Sequence, residues 1–361
     1  MTPYTHASAH HVGRWPSLWL GALFLALFVT LWQVRCCGYI QLDLDWTYQR
    51  SANVIAGTAI SPWQYRVLSH WGYRALTIMA STLGFDNPQH EALCIFRLVQ
   101  NVAILALAAL YYRRLGLTDN AVTVGLSMLA FGMLHTLHFS DMSFDTYSDV
   151  IFYLVAGLLI LYQKPLWLLI LMPLAALNRE TSGLIPFMLL TFSFGCSRQR
   201  TVRIHAVLIS ILALVLYFAV FFGLRHAYGS RPDMGGHSIL SKCLIVNNFT
   251  NEQSWLQLCV TMGLLPLLAV CSLRACPKPL QCFFWSIVPV WFLVHFVSAV
   301  VAETRLFLVP LAVALVPCML FGLGPITAYQ RGRQEGGTQN RREPTVPVNA
   351  TPSASPDEPS P

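Results

Sequence analysis

Residues 165–195 read PLWLLILMPLAALNRETSGLIPFMLLTFSFG, an apolar run broken once by Asn178-Arg179-Glu180-Thr181. A charged side chain near the centre of a bilayer costs roughly 3 kcal/mol on insertion scales. Such charges persist where they line a site, pair with each other, or reach the interface. Whether this run is one span or two also decides the side on which every later segment falls.

The composition around it sets the class. Hydrophobic residues make up 55% of the chain and charged residues 11%, where a soluble protein carries about 25% charged residues. The long apolar runs match the ~20 residues needed to cross hydrocarbon, and backbone groups in lipid must be satisfied within helices. The fold class expected is all-α: a polytopic transmembrane helical bundle. The net charge of +7 then reports topology and implies no nucleic-acid partner. The ten cysteines include no CxxC pair and read as packing residues. Cys36, Cys37 and Cys243 fall where a disulfide can form on the outer side.

The apolar spans are 17–34, 92–112, 120–138, 148–163, 165–177, 182–195, 204–224, 255–273, 280–301 and 306–324, about ten in all. The first reads as an uncleaved signal anchor. The fifth and sixth are short, so they are either two full crossings or a re-entrant pair. Basic residues arbitrate. With the N-terminus inside, Arg14, Arg113, Arg114, Lys164, Arg198, Arg200, Arg203, Arg274 and Lys278 lie at inner connections, against one acid, Asp119. That bias favours both termini inside and two spans between Lys164 and Arg198. It moves the tetrad 178–181 to an outer turn. The domains expected are a cytoplasmic segment 1–16, a transmembrane domain 17–324 with a long outer loop at 35–91, and a disordered cytoplasmic tail at 325–361 rich in Pro, Ser, Thr and Gly.

In the outer loop, Arg66, His70 and Arg74 recur at i, i+4, i+8 and would share a helical face. Trp63, Trp71 and Tyr73 suit an interfacial belt. The stretch reads as an amphipathic interfacial helix. Asp43-Leu44-Asp45 precedes it. Two carboxylates at this spacing can take a divalent cation together, or divide into a base and a helper; equally they can be solvated loop acids. Gln64-Tyr65-Arg66 sets a forked phosphate donor at the membrane surface, where lipid headgroups compete for it. In the tetrad, Asn178 and Glu180 suit a helix start, but Arg179 does not unless an anion is near. Glu303-Thr304-Arg305 repeats acid, hydroxyl and arginine before the last span. Asp141, Asp145 and Asp149 recur at i, i+4, i+8. His135, His138 and Asp141 have a spacing that a metal can use, with no fourth ligand in view. No Walker loop, GxGxxG, GxSxG or HExxH occurs. Arginines and carboxylates on one face of a bundle suit a reaction on a lipid-linked phosphate.

This layout resembles the GT-C superfamily of polytopic membrane glycosyltransferases, which use polyprenyl-phosphate sugars. The likeness rests on Asp43 and Asp45 in the first outer loop, the interfacial helix, and the segments Trp63–Leu68, Asn178–Thr181 and Glu303–Phe307. These segments also look like those of uncharacterised bacterial membrane proteins near that superfamily. The resemblance covers about residues 40–310 as topology. It implies a glycosyltransferase in a bacterial inner (plasma) membrane, with its active face periplasmic or extracellular. Its partners would be membrane lipid and a lipid-linked sugar donor. Asp43 or Asp45 would be the catalytic base, and Gln64, Tyr65, Arg66, Asn178, Arg179, Glu180, Glu303 and Arg305 would bind substrate. Many relatives carry a soluble outer domain that is not seen here. Two other classes remain: a multi-span transporter, which would place 178–181 near the midplane, and a non-catalytic membrane assembly protein.

Overall fold

The computed structural model describes residues 15–39, 41–136, 142–231 and 242–324, with the side chains of 15, 36–44 and 242–244 left out. The tail 325–361, His138, Asp141, and the side chains of Cys36, Cys37, Asp43 and Cys243 lie outside the described residues. Helices account for nearly all that is described, and no strand occurs among these residues.

The chain runs α1 (Trp15–Tyr39), α2 (Gln41–Ala56), α3 (Val67–Thr82), α4 (Pro88–Leu115), α5 (Asp119–His135), α6 (Phe144–Leu161), α7 (Leu168–Asn178), α8 (Ile185–Cys196), α9 (Arg200–Tyr228), α10 (Lys242–Thr250), α11 (Glu252–Met262), α12 (Leu265–Ser272) and α13 (Lys278–Ser298), then a terminal helix, Thr304–Gly322. Among the described residues six helices are long and apolar enough to cross a bilayer: α1, α4, α6, α9, α13 and the terminal helix. The bent pair α11–α12, turned by 57°, adds a seventh where the two helices count as one broken span. These mark an integral membrane protein. The reading of about ten spans exceeds this set by α5, with 17 residues, and by α7 and α8, with 11 and 12.

Local chemistry sets the ends. Asn87 caps α4 ahead of Pro88, and Gly116, at φ 100°, closes it with Arg113 and Arg114 in the last turn. Arg113 then pairs with Asp119 at 2.7 Å. Thr118 caps α5 by accepting from the Ala121 N–H at 3.3 Å.

The packing is graded by exposure. The terminal helix has 89% of its apolar window buried, against α5, α6, α12 and α13, while α9 has 22%. On α9, Leu208, Ile211, Val215 and Phe222 stand exposed, an apolar face that suits lipid. The terminal helix carries prolines that lack an N–H, and side chains from elsewhere supply the missing donors. Pro310 leaves the Leu306 carbonyl without its helical partner, and the Trp291 indole N–H donates to it at 2.7 Å. Pro317 does the same to Val313, whose carbonyl accepts from Tyr111 Oη at 2.9 Å. The wide turn at Leu311–Leu315 frees the Ala312 carbonyl for Tyr112 Oη at 3.0 Å.

The run 165–195 is a hairpin. α7 returns alongside α6, and Asn178 Nδ2 donates to the Asp145 carbonyl at 2.8 Å. The helix breaks at Arg179, which is extended (φ −162°, ψ 148°). α8 then descends along α9: Tyr217 Oη donates to the Glu180 carbonyl at 2.7 Å, and Ser210 Oγ to Pro186 at 3.1 Å. Further down, Arg203 lies over the Phe194 ring at 5.6 Å. The tetrad therefore occupies the turn.

α3 corrects the expected helical face. Arg66 precedes the helix, with φ −108° and ψ 58°, so it departs from the line of His70 and Arg74. His70 is buried and Arg74 exposed. Tyr73 stands in no interfacial belt; it is buried and stacks on Phe144 at 5.1 Å. α3 packs on α4, α6 and α7 and exposes Trp71, Ile78 and Met79.

Candidate charged site at one end of the bundle

Three elements end at the same level: the N-terminus of α6, the turn between α7 and α8, and the entry to α3. Arg66 stands between two carboxylates, with Nη1 on Asp145 Oδ2 at 2.9 Å and Nε on Glu180 Oε2 at 3.1 Å. Burial opposes its charge, but Glu180 and Asp145 outweigh that and hold the guanidinium above its ordinary range. Asp145 also accepts from Ser143 Oγ. It lies in the first turn of α6, where a carboxylate is favoured by the exposed N–H groups.

Each tetrad residue ties a different partner. Asn178, wholly buried, donates to α6 and accepts from Ser69 Oγ of α3 at 2.6 Å. Arg179 Nη1 donates to Thr146 Oγ1 at 2.7 Å. Glu180 holds Arg66. Thr181 Oγ1 donates to Asp149 Oδ2 at 2.6 Å, and its carbonyl accepts from Tyr153 Oη. Three side chains here keep unused capacity, Glu180 through its Oε1. Arg179 Nε has no partner and Arg179 makes no ion pair among the described residues; Asp149 Oδ1 likewise has none.

The motif at the start of the terminal helix joins this cluster. Arg305 Nη2 lies 2.7 Å from Glu303 Oε2. Thr304 Oγ1 accepts from Thr261 Oγ1 at 2.9 Å. Burial pushes the Glu303 carboxyl up, against the pull of Arg179, Arg66 and Arg50, which are close enough to act on it. Arg66, Arg179 and Arg50 are close enough to act on Asp145 as well. His70 is pushed down to about 4 by burial and by Arg50. Arg66, Arg179 and Arg305, far apart in sequence, thus belong to one largely buried charged group with Arg50, Asp145, Asp149, Glu180 and Glu303, Arg305 entering it through Glu303.

Other expected site residues are placed differently. Gln64 is fully buried and clamps its own loop: its Oε1 accepts from the Ala59 N–H at 2.8 Å and its Nε2 donates to the Val54 carbonyl at 3.0 Å. Tyr65 donates to the Gly229 carbonyl at 2.9 Å and lies under the Arg225 guanidinium at 4.4 Å. Asp43 and Asp45 belong to α2, where positions two apart do not face each other. The Asp43 side chain lies outside the described residues. Asp45 is exposed and pairs with none of the described arginines.

Sequence reasoning gave little weight to Asp145 and Asp149 and missed Thr146, Ser69 and Tyr217. The i, i+4 spacing of the two acids on α6 was the available signal, since it sets both on one helical face. Among the described residues no group of three or more His, Cys, Asp or Glu side chains is placed to hold a metal ion.

An apolar groove of about 480 Å³ runs between α5 and the α11–α12 bend. Thr261 lines it and also bonds Thr304, one residue from Glu303 and Arg305. Comparison with protein-family models, curated proteins and solved structures returned no match.

Proposed function

We propose that the chain is a membrane glycosyltransferase that moves a sugar from a polyprenyl-phosphate donor to an acceptor hydroxyl. One observation carries the reading: Arg66 and Arg179 act on Glu303, the carboxylate that Arg305 holds, and Arg179 makes no ion pair of its own among the described residues. Forked guanidiniums suit a phosphate whose charge grows as it leaves. A carboxylate nearby suits the acceptor proton. The apolar groove suits an apolar chain, and Thr261 ties its lining to Thr304, the neighbour of Glu303 and Arg305.

The topology proposed is ten crossings with both termini on the basic side. The chain directions through α6, α7, α8 and α9 support it, as do the basic residues at the opposite end, where Arg114 Nη2 donates to the Leu161 carbonyl at 3.3 Å and Arg203 Nε to the Ser197 carbonyl at 2.9 Å. The charged cluster then faces the periplasm or exterior of a bacterial inner (plasma) membrane, and α3 lies at that interface. Membrane lipid and the lipid-linked sugar are the partners.

A transporter is the second reading, favoured by a separate polar group among α1, α4 and the start of α6. Gln33 Nε2 donates to Tyr147 Oη at 2.6 Å, Asn101 Nδ2 to Thr30 Oγ1 at 2.9 Å, and Arg97 lies buried over the Tyr147 ring at 3.8 Å. The discriminating experiment reconstitutes the purified protein with radiolabelled undecaprenyl-phosphate hexoses and octyl glycoside acceptors. Sugar transfer to the glycoside is expected. Its absence with every donor, together with solute uptake into the vesicles, would replace the transferase reading with the transporter.

A further inference from the structure

We propose that Glu303 is the carboxylate that takes the proton of the acceptor hydroxyl. The assignment rests on the glycosyltransferase reading. It differs from what the resemblance implies, which is a base at Asp43 or Asp45.

The four carboxylates of the cluster are not equivalent. Asp145 is saturated by Arg66 and Ser143, and its side chain is 5% exposed. Asp149 is fully buried beneath Thr181, out of reach of an acceptor arriving from water. Glu180 has one oxygen on Arg66 and the other buried. Glu303 alone combines a fixed oxygen with an open one. Oε2 is held by Arg305 at 2.7 Å, and the side chain is 35% exposed. A general base needs both properties: an anchor that orients it, and a free oxygen that the hydroxyl can approach. Arg179, Arg66 and Arg50 are close enough to act on the same carboxylate, so the cations offered to a phosphate and the base offered to the acceptor share one site. Asp45, exposed on α2, pairs with none of these arginines.

The step balances without a co-reactant. The acceptor O–H proton passes to Oε1 of Glu303. The acceptor oxygen bonds to the anomeric carbon of the sugar. The bond from that carbon to the phosphate oxygen breaks, and its electron pair stays on the phosphate. The polyprenyl phosphate departs with one more negative charge, opposite Arg179 and Arg66. Glu303 then returns its proton to water.

The test uses the full-length protein in lipid vesicles, the same labelled undecaprenyl-phosphate hexoses and octyl glycosides, and dodecyl phosphate as a separate binding probe. Glu303→Gln should lower kcat by roughly 100- to 10,000-fold, leave the donor KM within about threefold, and keep dodecyl phosphate binding. Glu303→Asp should retain part of the rate and shift the acid limb of the pH profile, because the new carboxylate meets Arg305, Arg179, Arg66, Arg50 and Asp145 at different distances. Wild-type transfer with an undiminished kcat in Glu303→Gln overturns the assignment and leaves the transferase reading standing. So does loss of turnover in Asp45→Asn with none in Glu303→Gln, which puts the base on α2. Should Glu303→Gln fail to fold, an unshifted acid limb in Glu303→Asp overturns the assignment. No transfer by the wild type from any donor overturns both.

Discussion

Arg179 offers the sharpest test of whether the charged cluster holds phosphate. The residue is 3% exposed, and its guanidinium gives one hydrogen bond to Thr146, makes no ion pair among the described residues, and leaves Nε without a partner. A hydrogen bond to a charged group contributes about 1.5–3 kcal/mol. Removing Arg179 should therefore weaken phosphate binding by about 10- to 150-fold. Arg179→Ala also strands Thr146 and takes the nearest cation from Asp149, so the variant loses stability as well as affinity. Arg179→Lys separates the two effects. It keeps the charge near Asp149 but loses the fork, so affinity should fall by about tenfold while the melting temperature stays close to wild type. The assay is calorimetric titration of dodecyl phosphate into the detergent-solubilised protein. Arg74→Ala is the reference, because Arg74 is exposed on α3 and should leave the dissociation constant unchanged. Wild-type affinity in Arg179→Ala refutes the reasoning. An equal loss in Arg74→Ala refutes it too, since binding would then be headgroup contact along the surface.

Gln64→Ala should cost about 1–3 kcal/mol of stability, because two buried backbone groups of the 54–59 segment lose their partner. Its dodecyl phosphate affinity should stay within twofold, and a large loss would give Gln64 the ligand role that its position beside Arg66 first suggests. At the opposite end of the bundle, a methyl on Gly322 would sit 2.5 Å from Ser272 Cβ, so Gly322→Ala should destabilise by about 1–3 kcal/mol in thermal unfolding. Gly21→Ala meets nothing within 4 Å and should be neutral or slightly stabilising; equal effects at the two sites would contradict the packing described. His70 titrates near 4 when folded and near 6.5 when unfolded, beside Arg50, Asp145 and Arg66. The unfolded chain takes up that proton first, so stability is lost as pH falls from about 6.5 to 4 and is unaffected above that window. Melting temperatures of His70→Phe should fall less steeply than wild type across the same interval, and parallel slopes would show that His70 is not buried neutral.

The helices were readable because long apolar runs need no partner to be recognised. The break at 178–181 was readable for the complementary reason, as polar residues where lipid-facing sequence tolerates few. What joined the arginines to their acids was not readable. Arg66 meets Asp145 across 79 positions and Glu180 across 114, and neither separation follows from a local rule. Gln64 shows a second limit. A buried amide beside an arginine looks the same in sequence whether it faces a ligand or its own backbone, and here it faces the backbone. Asp43-Leu44-Asp45 shows a third. The polar composition of 41–56 suggested a loop, whereas the segment is helical and sets the two positions on different faces.

The tetrad began as an insertion cost, and the hairpin turns that cost into a division of labour. Asn178 fastens α3 to α6, Glu180 secures Arg66, and Thr181 covers Asp149. Those three contacts hold the turn together without using the charge of Arg179. An arginine just ahead of a helix start is opposed by the local dipole, and its nearest acid in the turn, Glu180, is already engaged. Asp149 acts on it only at a distance and with one oxygen unused. Structure alone draws on one hydrogen bond to Thr146 and a distant pull on Asp149, and leaves Nε unused. A cation kept there, buried and incompletely matched, fits an anion that comes and goes.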